Sequence, residues 1–288
     1  MTYQIVYPYY YKSSVKFCNL DRSKTMKYGA MNFPIKPVLD ELKKIFDLGF
    51  DYFELTLDPP CAHYSDIDKI EKKLTHALDQ YSMEVVCHLP TFVYTADLAP
   101  GIRKASLKEM IHSLQTAARI NAKKAVLHPS FISGLGPFVL NTATEYAYES
   151  LCIIVKEAQS LGLSLCFENM YPKYHSFFKP DHFSHIFKEF PEIKLTLDTG
   201  HANIDDPERS RLFKFIQQFP DRIGHVHVSD NKGKQDDHLK VGNGNINFKK
   251  FIKLIKKAGY NDTITLEIFS SDTDDLLKSR ERIAALLK

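Results

Sequence analysis

Short apolar runs alternate with longer amphipathic segments along this chain. The runs are rich in β-branched and aromatic residues: "KYGAMNF", "DYFELTL", "MEVVCHL", "KAVLHPS", "LSLCFEN", "IKLTLDT", "IGHVHVSD" and "TITLEIF". Between them stand segments such as "PVLDELKKIFDLGF", "LKEMIHSLQTAARINA", "AYESLCIIVKEAQSLG" and "FKKFIKLIKKAGY". Their apolar residues recur at i, i+3, i+4 and i+7, the spacing of a helix with one buried face. Gly49, Asn121, Gly162 and Gly259 stand where such helices should end, as left-handed C-caps. Eight strand–helix units with no break in composition predict an α/β fold, a closed (β/α)8 TIM barrel in a single domain over residues 26–288. The alternative, an open doubly wound sheet, lacks a G-x-G-x-x-G after the first run. Residues 1–25 are a tyrosine-rich N-terminal extension that reads as an added strand, a barrel plug or a substrate-side flap.

Composition narrows the function classes. The 288 residues are 44% hydrophobic, enough for a substantial core, and the net charge is only +3. So weak a balance gives no whole-molecule field for nucleic acid. Five cysteines, scattered and without a C-x-x-C pair, point to a reducing cytosol rather than a disulfide framework. Cys87 and Cys166 fall inside apolar runs and read as buried packing residues. No stretch is long and apolar enough to span a membrane. The N-terminus shows no secretory pattern, so a cytoplasmic location is expected.

In a barrel of this kind, chemistry sits where strands end and βα loops begin. Strand 2 carries Glu54. Strand 3 ends in His88, strand 4 in His128 and strand 5 in Glu168. Strand 6 ends in Asp198, with His201 three residues on. Strand 7 ends in His227, its loop carries Asp236 and His238, and strand 8 ends in Glu267. So many metal-ligand residue types at one end would pile up negative charge unless a cation were present. A set of carboxylates and imidazoles without thiolate suits Zn²⁺, Mn²⁺ or Co²⁺. His225 and His227 share one face of strand 7, with Val226 and Val228 on the other, so both histidines should point into the barrel. His225 then lies a layer lower, as a supporting residue.

At these positions the chain resembles the xylose isomerase-like TIM-barrel superfamily, which holds sugar isomerases, sugar epimerases and the endonuclease IV type of abasic-site nuclease. The resemblance is carried by "CHLP", "LHPS", "FENM", "LDTGHAN", "HVSDN", "DDHLKVGNGNINF" and "LEIF". It implies a four-ligand metal core of Glu168, Asp198, His227 and Glu267, with the two glutamates exchanging protons with a sugar. The nuclease branch adds ligands that match His88, His128, His201, Asp236 and His238, so the resemblance allows one to three divalent ions, zinc or manganese foremost. Glu54, His88 and His201 are expected to contact substrate.

Two functions follow. The first is a metal-dependent isomerase or epimerase of a sugar or sugar phosphate, with Glu168 and Glu267 as general base and acid. The alternative is a zinc-dependent phosphoester hydrolase of the abasic-site type. The mouth loops favour the first, because a duplex binder needs lysine and arginine there. "DPPCAHYSD" and "PSFISGLGPF" carry neither, while "ANIDDPE" and "SSDTDD" are acidic. The basic run "KKFIKLIKK" belongs to a solvated outer helix. The loop "NMYPKYHSFF" reads as a lid or a sugar-stacking wall. "VGNGN" reads first as a tight turn with an asparagine cap, and second as a backbone cradle for phosphate.

Overall fold

The computed structural model describes residues 26–270 and 272–288, so the extension over residues 1–25 lies outside the described residues. Eight strands alternate with helices: β1 (Lys27–Met31), β2 (Tyr52–Thr56), β3 (Glu84–His88), β4 (Lys124–Leu127), β5 (Ser164–Glu168), β6 (Lys194–Asp198), β7 (Ile223–Val228) and β8 (Thr263–Leu266). Each pairs in parallel with its neighbour in sequence, and β8 closes on β1. The helices are α1 (Val38–Asp47), α2 (Tyr64–Tyr81), α3 (Pro100–Arg119), α4 (Leu140–Ser160), α5 (Pro180–Glu189), α6 (Thr199–Asn203), α7 (Arg211–Gln218), α8 (Phe248–Lys257) and α9 (Asp274–Leu287). The chain is thus a single TIM barrel, as its periodicity predicts. None of the described helices is long and apolar enough to cross a membrane.

Period-two alternation sorts each strand. In β2, Phe53 and Leu55 join the main core with residues such as Leu42, Leu74 and Phe251. Tyr52 instead packs with Val86 and Val126 in a separate cluster inside the barrel. Its ring needs Gly29, where a Cβ would stand 2.3 Å from the ring carbons. Gly49, Asn121, Gly162 and Gly259 all take positive φ just past α1, α3, α4 and α8. The lysines of α8 are exposed while Phe248, Phe251, Ile252 and Ile255 are buried, so the basic run is a solvated outer face.

Two local features set up the mouth. Between β6 and β7 the register slips at Leu195/Thr196, so that Thr196 pairs with His225 and Asp198 with His227. This bulge levels the two ends of the strands. Immediately beyond, "TGHAN" forms α6, a one-turn helix where the pattern shows only a loop. Asp198 caps it by accepting from the His201 N–H at 2.5 Å.

Candidate metal centre

The strand ends bring Glu168, Asp198, His227 and Glu267 together. Each offers a ligand atom within 4.8 Å of the others, and all four are buried. His227 Nδ1 lies 3.3 Å from Glu168 Oε1, 3.5 Å from Glu267 Oε1 and 4.0 Å from Asp198 Oδ2. The other imidazole nitrogen, Nε2, donates to Glu54 Oε1 at 2.9 Å.

A second nest shares Glu168. His88, His128 and Glu168 also meet within 4.8 Å. His128 Nε2 is 3.2 Å and His88 Nε2 3.6 Å from Glu168 Oε2. His88 Nδ1 donates to the Leu89 carbonyl at 2.8 Å, which turns Nε2 towards the nest. The remaining expected ligands converge on Asp236, whose Oδ2 is 3.1 Å from His201 Nε2 and 3.1 Å from His238 Nε2. His201 Nδ1 donates to the Asn169 carbonyl at 3.1 Å.

Five buried atoms of these side chains have no hydrogen-bond partner among the described residues: His128 Nδ1, Glu168 Oε2, Asp198 Oδ2, Asp236 Oδ1 and Glu267 Oε2. Buried polar atoms are normally paired, and an orphaned carboxylate oxygen is costly. Four orphaned carboxylate oxygens around one mouth match the donor set of a divalent cation. The charges agree. Burial opposes ionisation of Glu168, but His227 and His128 outweigh it and hold its carboxyl well below the usual range. Burial, opposed by His201 and aided by Glu267 and Glu168, pushes the Asp198 carboxyl up to about 8. Burial disfavours a charged His201, yet Asp198 and Asp236 raise it well above an ordinary imidazole.

Glu54 does not reach the mouth, which corrects the expectation of a substrate contact. It is fully buried, and its Oε2 accepts from His225 Nε2 at 3.0 Å and from the Thr265 hydroxyl. With Oε1 taken by His227, both oxygens are committed beneath the ligand layer. His225 occupies that lower layer with it; its Nδ1 accepts from the Thr263 hydroxyl at 2.7 Å.

A cavity of about 430 Å³ opens above the ligands. His88, His128, His201, Asp236, His238 and Glu267 line one part of it, and Asn32, Thr56, Asp58 and Thr91 another. Phe33, Phe92, Phe269, Tyr171 and Tyr174 supply aromatic wall. The loop after β5 therefore forms wall through Tyr171 and Tyr174, whose rings lie 5.3 Å apart. A larger groove, about 660 Å³, is lined by Lys179, Asp206 and Lys214 and by none of these ligands.

The Gly-Asn-Gly turn does not offer a phosphate cradle. Asp230, fully buried at the end of β7, already fills it. Its Oδ2 accepts from Gly242 N at 2.8 Å and Gly244 N at 2.9 Å. Its Oδ1 accepts from Asn231 N at 3.0 Å and Ile246 N at 3.2 Å. Asn247 caps α8 by accepting from Lys250 N at 2.9 Å, as the tight-turn reading has it. Sequence reasoning missed Asn169, which clamps the β6 end: its Oδ1 accepts from Asp198 N at 2.8 Å and its Nδ2 donates to the Asp198 carbonyl at 3.0 Å. Its place beside Glu168 in "FENM" was the available signal. Asn32 and Asp58 were missed as well.

Known proteins share this architecture. A solved D-tagatose 3-epimerase-like protein superposes with a TM-score of 0.79 at 25% identity, covering 91% of this chain and 97% of that one. An uncharacterised protein of Methanocaldococcus jannaschii is 28% identical over 270 residues, 91% of this chain and 90% of its own. Fructoselysine 3-epimerase of Escherichia coli O157:H7 is 23% identical over 264 residues, 87% of this chain and 94% of its own. The model of the xylose isomerase-like TIM barrel matches residues 42–288, and the chain belongs to that family.

Proposed function

We propose that the chain is a divalent-metal-dependent sugar epimerase that inverts the carbon beside a ketose carbonyl, with Glu168 and Glu267 exchanging the proton on opposite faces. The observation that carries this reading is the convergence of Glu168, Asp198, His227 and Glu267, with orphaned carboxylate oxygens, next to a substrate-sized cavity that Glu267 lines. The 3-epimerase names of several relatives support the position of attack.

A divalent ion held by those four residues would polarise the carbonyl and its neighbouring hydroxyl and so acidify the carbon-bound proton. Glu168 serves as base, since His227 and His128 keep it ionised despite burial. Its abstraction of the C3 proton leaves an enediolate, planar at C3, with the charge on oxygen. Glu267, which lines the cavity, returns a proton from the other face and inverts the carbon. The two glutamates finish with protonation states exchanged. His88 and His201 also line the cavity and orient substrate oxygens.

The test is turnover of a panel of free ketoses and ketose phosphates with added Mn²⁺ or Co²⁺, read by chromatographic separation of epimers. Glu168→Gln and Glu267→Gln are each expected to lower kcat by about 10²–10⁴-fold. Wild-type turnover in Glu168→Gln sinks the two-glutamate mechanism, and failure to convert any ketose sinks the epimerase reading.

A second reading, a zinc-dependent phosphoester hydrolase, is favoured by the nest His88–His128–Glu168 and by the meeting of His201 and His238 on Asp236. These residues would hold further ions. Elemental analysis separates the two: one Mn²⁺ or Co²⁺ per chain supports the epimerase, and two or three Zn²⁺ with nicking of an abasic-site duplex supports the hydrolase.

A further inference from the structure

We infer that Asn32 and Asp58 form a subsite for the distal hydroxyls of an unphosphorylated sugar chain, which rests on the epimerase reading of the same mouth. In the closed barrel, β1 and β2 lie across from β5 and β6, the strands that carry Glu168 and Asp198. Asn32 follows β1 and Asp58 follows β2, so both stand across the barrel mouth from Glu168 and Asp198, while Glu267 follows β8, the neighbour of β1.

Asn32 is fully buried and its amide has one orientation. Its Oδ1 accepts from Thr56 N at 2.7 Å, which leaves Nδ2 as the free end. That nitrogen, a donor of two hydrogens, has no partner among the described residues. A buried amide donor without a partner, on a residue that lines a cavity, is costly unless a ligand oxygen meets it. Asp58 is also buried, with Oδ1 accepting from Thr91 N at 3.0 Å, and it lines the same cavity. An amide donor and a carboxylate acceptor together match hydroxyls, which both accept and donate. A terminal phosphate dianion cannot donate to Asp58 and would be repelled by it. Among the described residues no lysine or arginine lines the cavity to offset that repulsion. Phe33, Phe92 and Phe269 present apolar faces suited to the C–H surface of a sugar.

The experiment compares a free ketohexose with its 6-phosphate on the metal-loaded enzyme, in wild type, Asn32→Leu and Asp58→Asn, with metal content measured for each. The free sugar is expected to have the higher kcat/KM in wild type. Asn32→Leu should raise its KM by about 10–100-fold, with the loss in KM rather than kcat. Asp58→Asn keeps the side-chain shape and should narrow the preference for free over phosphorylated sugar, a readout that a merely structural role would not move. A wild-type preference for the phosphate, or variants with unchanged KM and unchanged preference, overturns the inference while leaving the epimerase standing. If neither sugar nor any ketose of the wider panel turns over, calorimetric binding of the free ketohexose decides. Selective binding of the free sugar that both substitutions weaken keeps the subsite and sinks the epimerase, and absence of binding sinks both.

Discussion

Glu54 holds two imidazoles at once. Because His227 donates Nε2–H to Glu54 Oε1, its Nδ1 carries the lone pair that faces Glu168, Asp198 and Glu267. A carboxylate behind a ligating histidine fixes its tautomer and strengthens its basicity. Glu54→Gln keeps the shape but removes the charge, so affinity for Mn²⁺ is expected to fall about 10–100-fold, measured by calorimetric titration of a variant whose circular dichroism matches wild type. Unchanged affinity would show that Glu54 only fills space. Strand alternation showed that Glu54 points inward, but not how deep it sits. Depth depends on barrel register: Glu54 pairs with Val86, two residues below the level at which Thr56 meets His88. Asn32 was invisible for another reason. A neutral amide at a strand end carries no signal of ligand type, and its value emerges only once Thr56 has occupied one end of it.

The β7–α8 connection is the element on which Asp236 and His238 depend. Asp230 gathers four amides from along it and also exchanges two backbone hydrogen bonds with Leu239, next to His238. A Cβ at Gly244 would stand 2.2 Å from the Asn231 carbonyl oxygen and 2.2 Å from Asp230 Oδ1. The carbonyl is backbone, so Gly244→Ala cannot be absorbed by a rotamer change. A loss of about 1–3 kcal/mol is expected, read from the urea midpoint. An unaltered midpoint would mean that the turn is not under that constraint. The glycines announced a turn, whereas the anion inside it was hidden, because Asp230 reaches amides up to sixteen residues away. The short helix α6 escaped notice for a related reason. Asp198 is both a ligand type and a helix cap, and "LDTGHAN" reads naturally as only the first.

For the molecule as a whole, the barrel was legible because most strands are buried on both faces and the helices other than α6 on one. Those periods survive without knowledge of any contact. The electrostatics of the mouth were legible in sign only. Without a cation, Asp236 and Glu267 overcome burial and lift His238 to about 9, against 6.5 for a free imidazole. Asp198 rises from 3.8 to about 8. A group whose folded value is raised contributes stability below its unfolded value and loses it as pH climbs through the folded one. Both groups therefore have the same sign, and the metal-stripped protein is expected to lose stability between pH about 3.8 and 8 through Asp198 and between about 6.5 and 9 through His238. Metal-loaded protein should lack most of that slope and gain about 2.7 kcal/mol when the free ion is a hundredfold above Kd. Thermal melts across the pH series, with and without chelator, check both; parallel curves would disprove the account.

The Asp230 turn has one more implication, concerning entropy. A phosphate-binding loop usually becomes ordered when its anion arrives, and part of the binding free energy is lost in that ordering. Here the anion is covalently part of the chain, so the loop carrying Asp236 and His238 is folded around a permanent guest. Its conformational entropy is surrendered once, during folding, and never again during a catalytic cycle. The rim of the mouth near β7 thus behaves as fixed scaffold, and any adaptation to the shape of a sugar falls to the aromatic walls on the other loops.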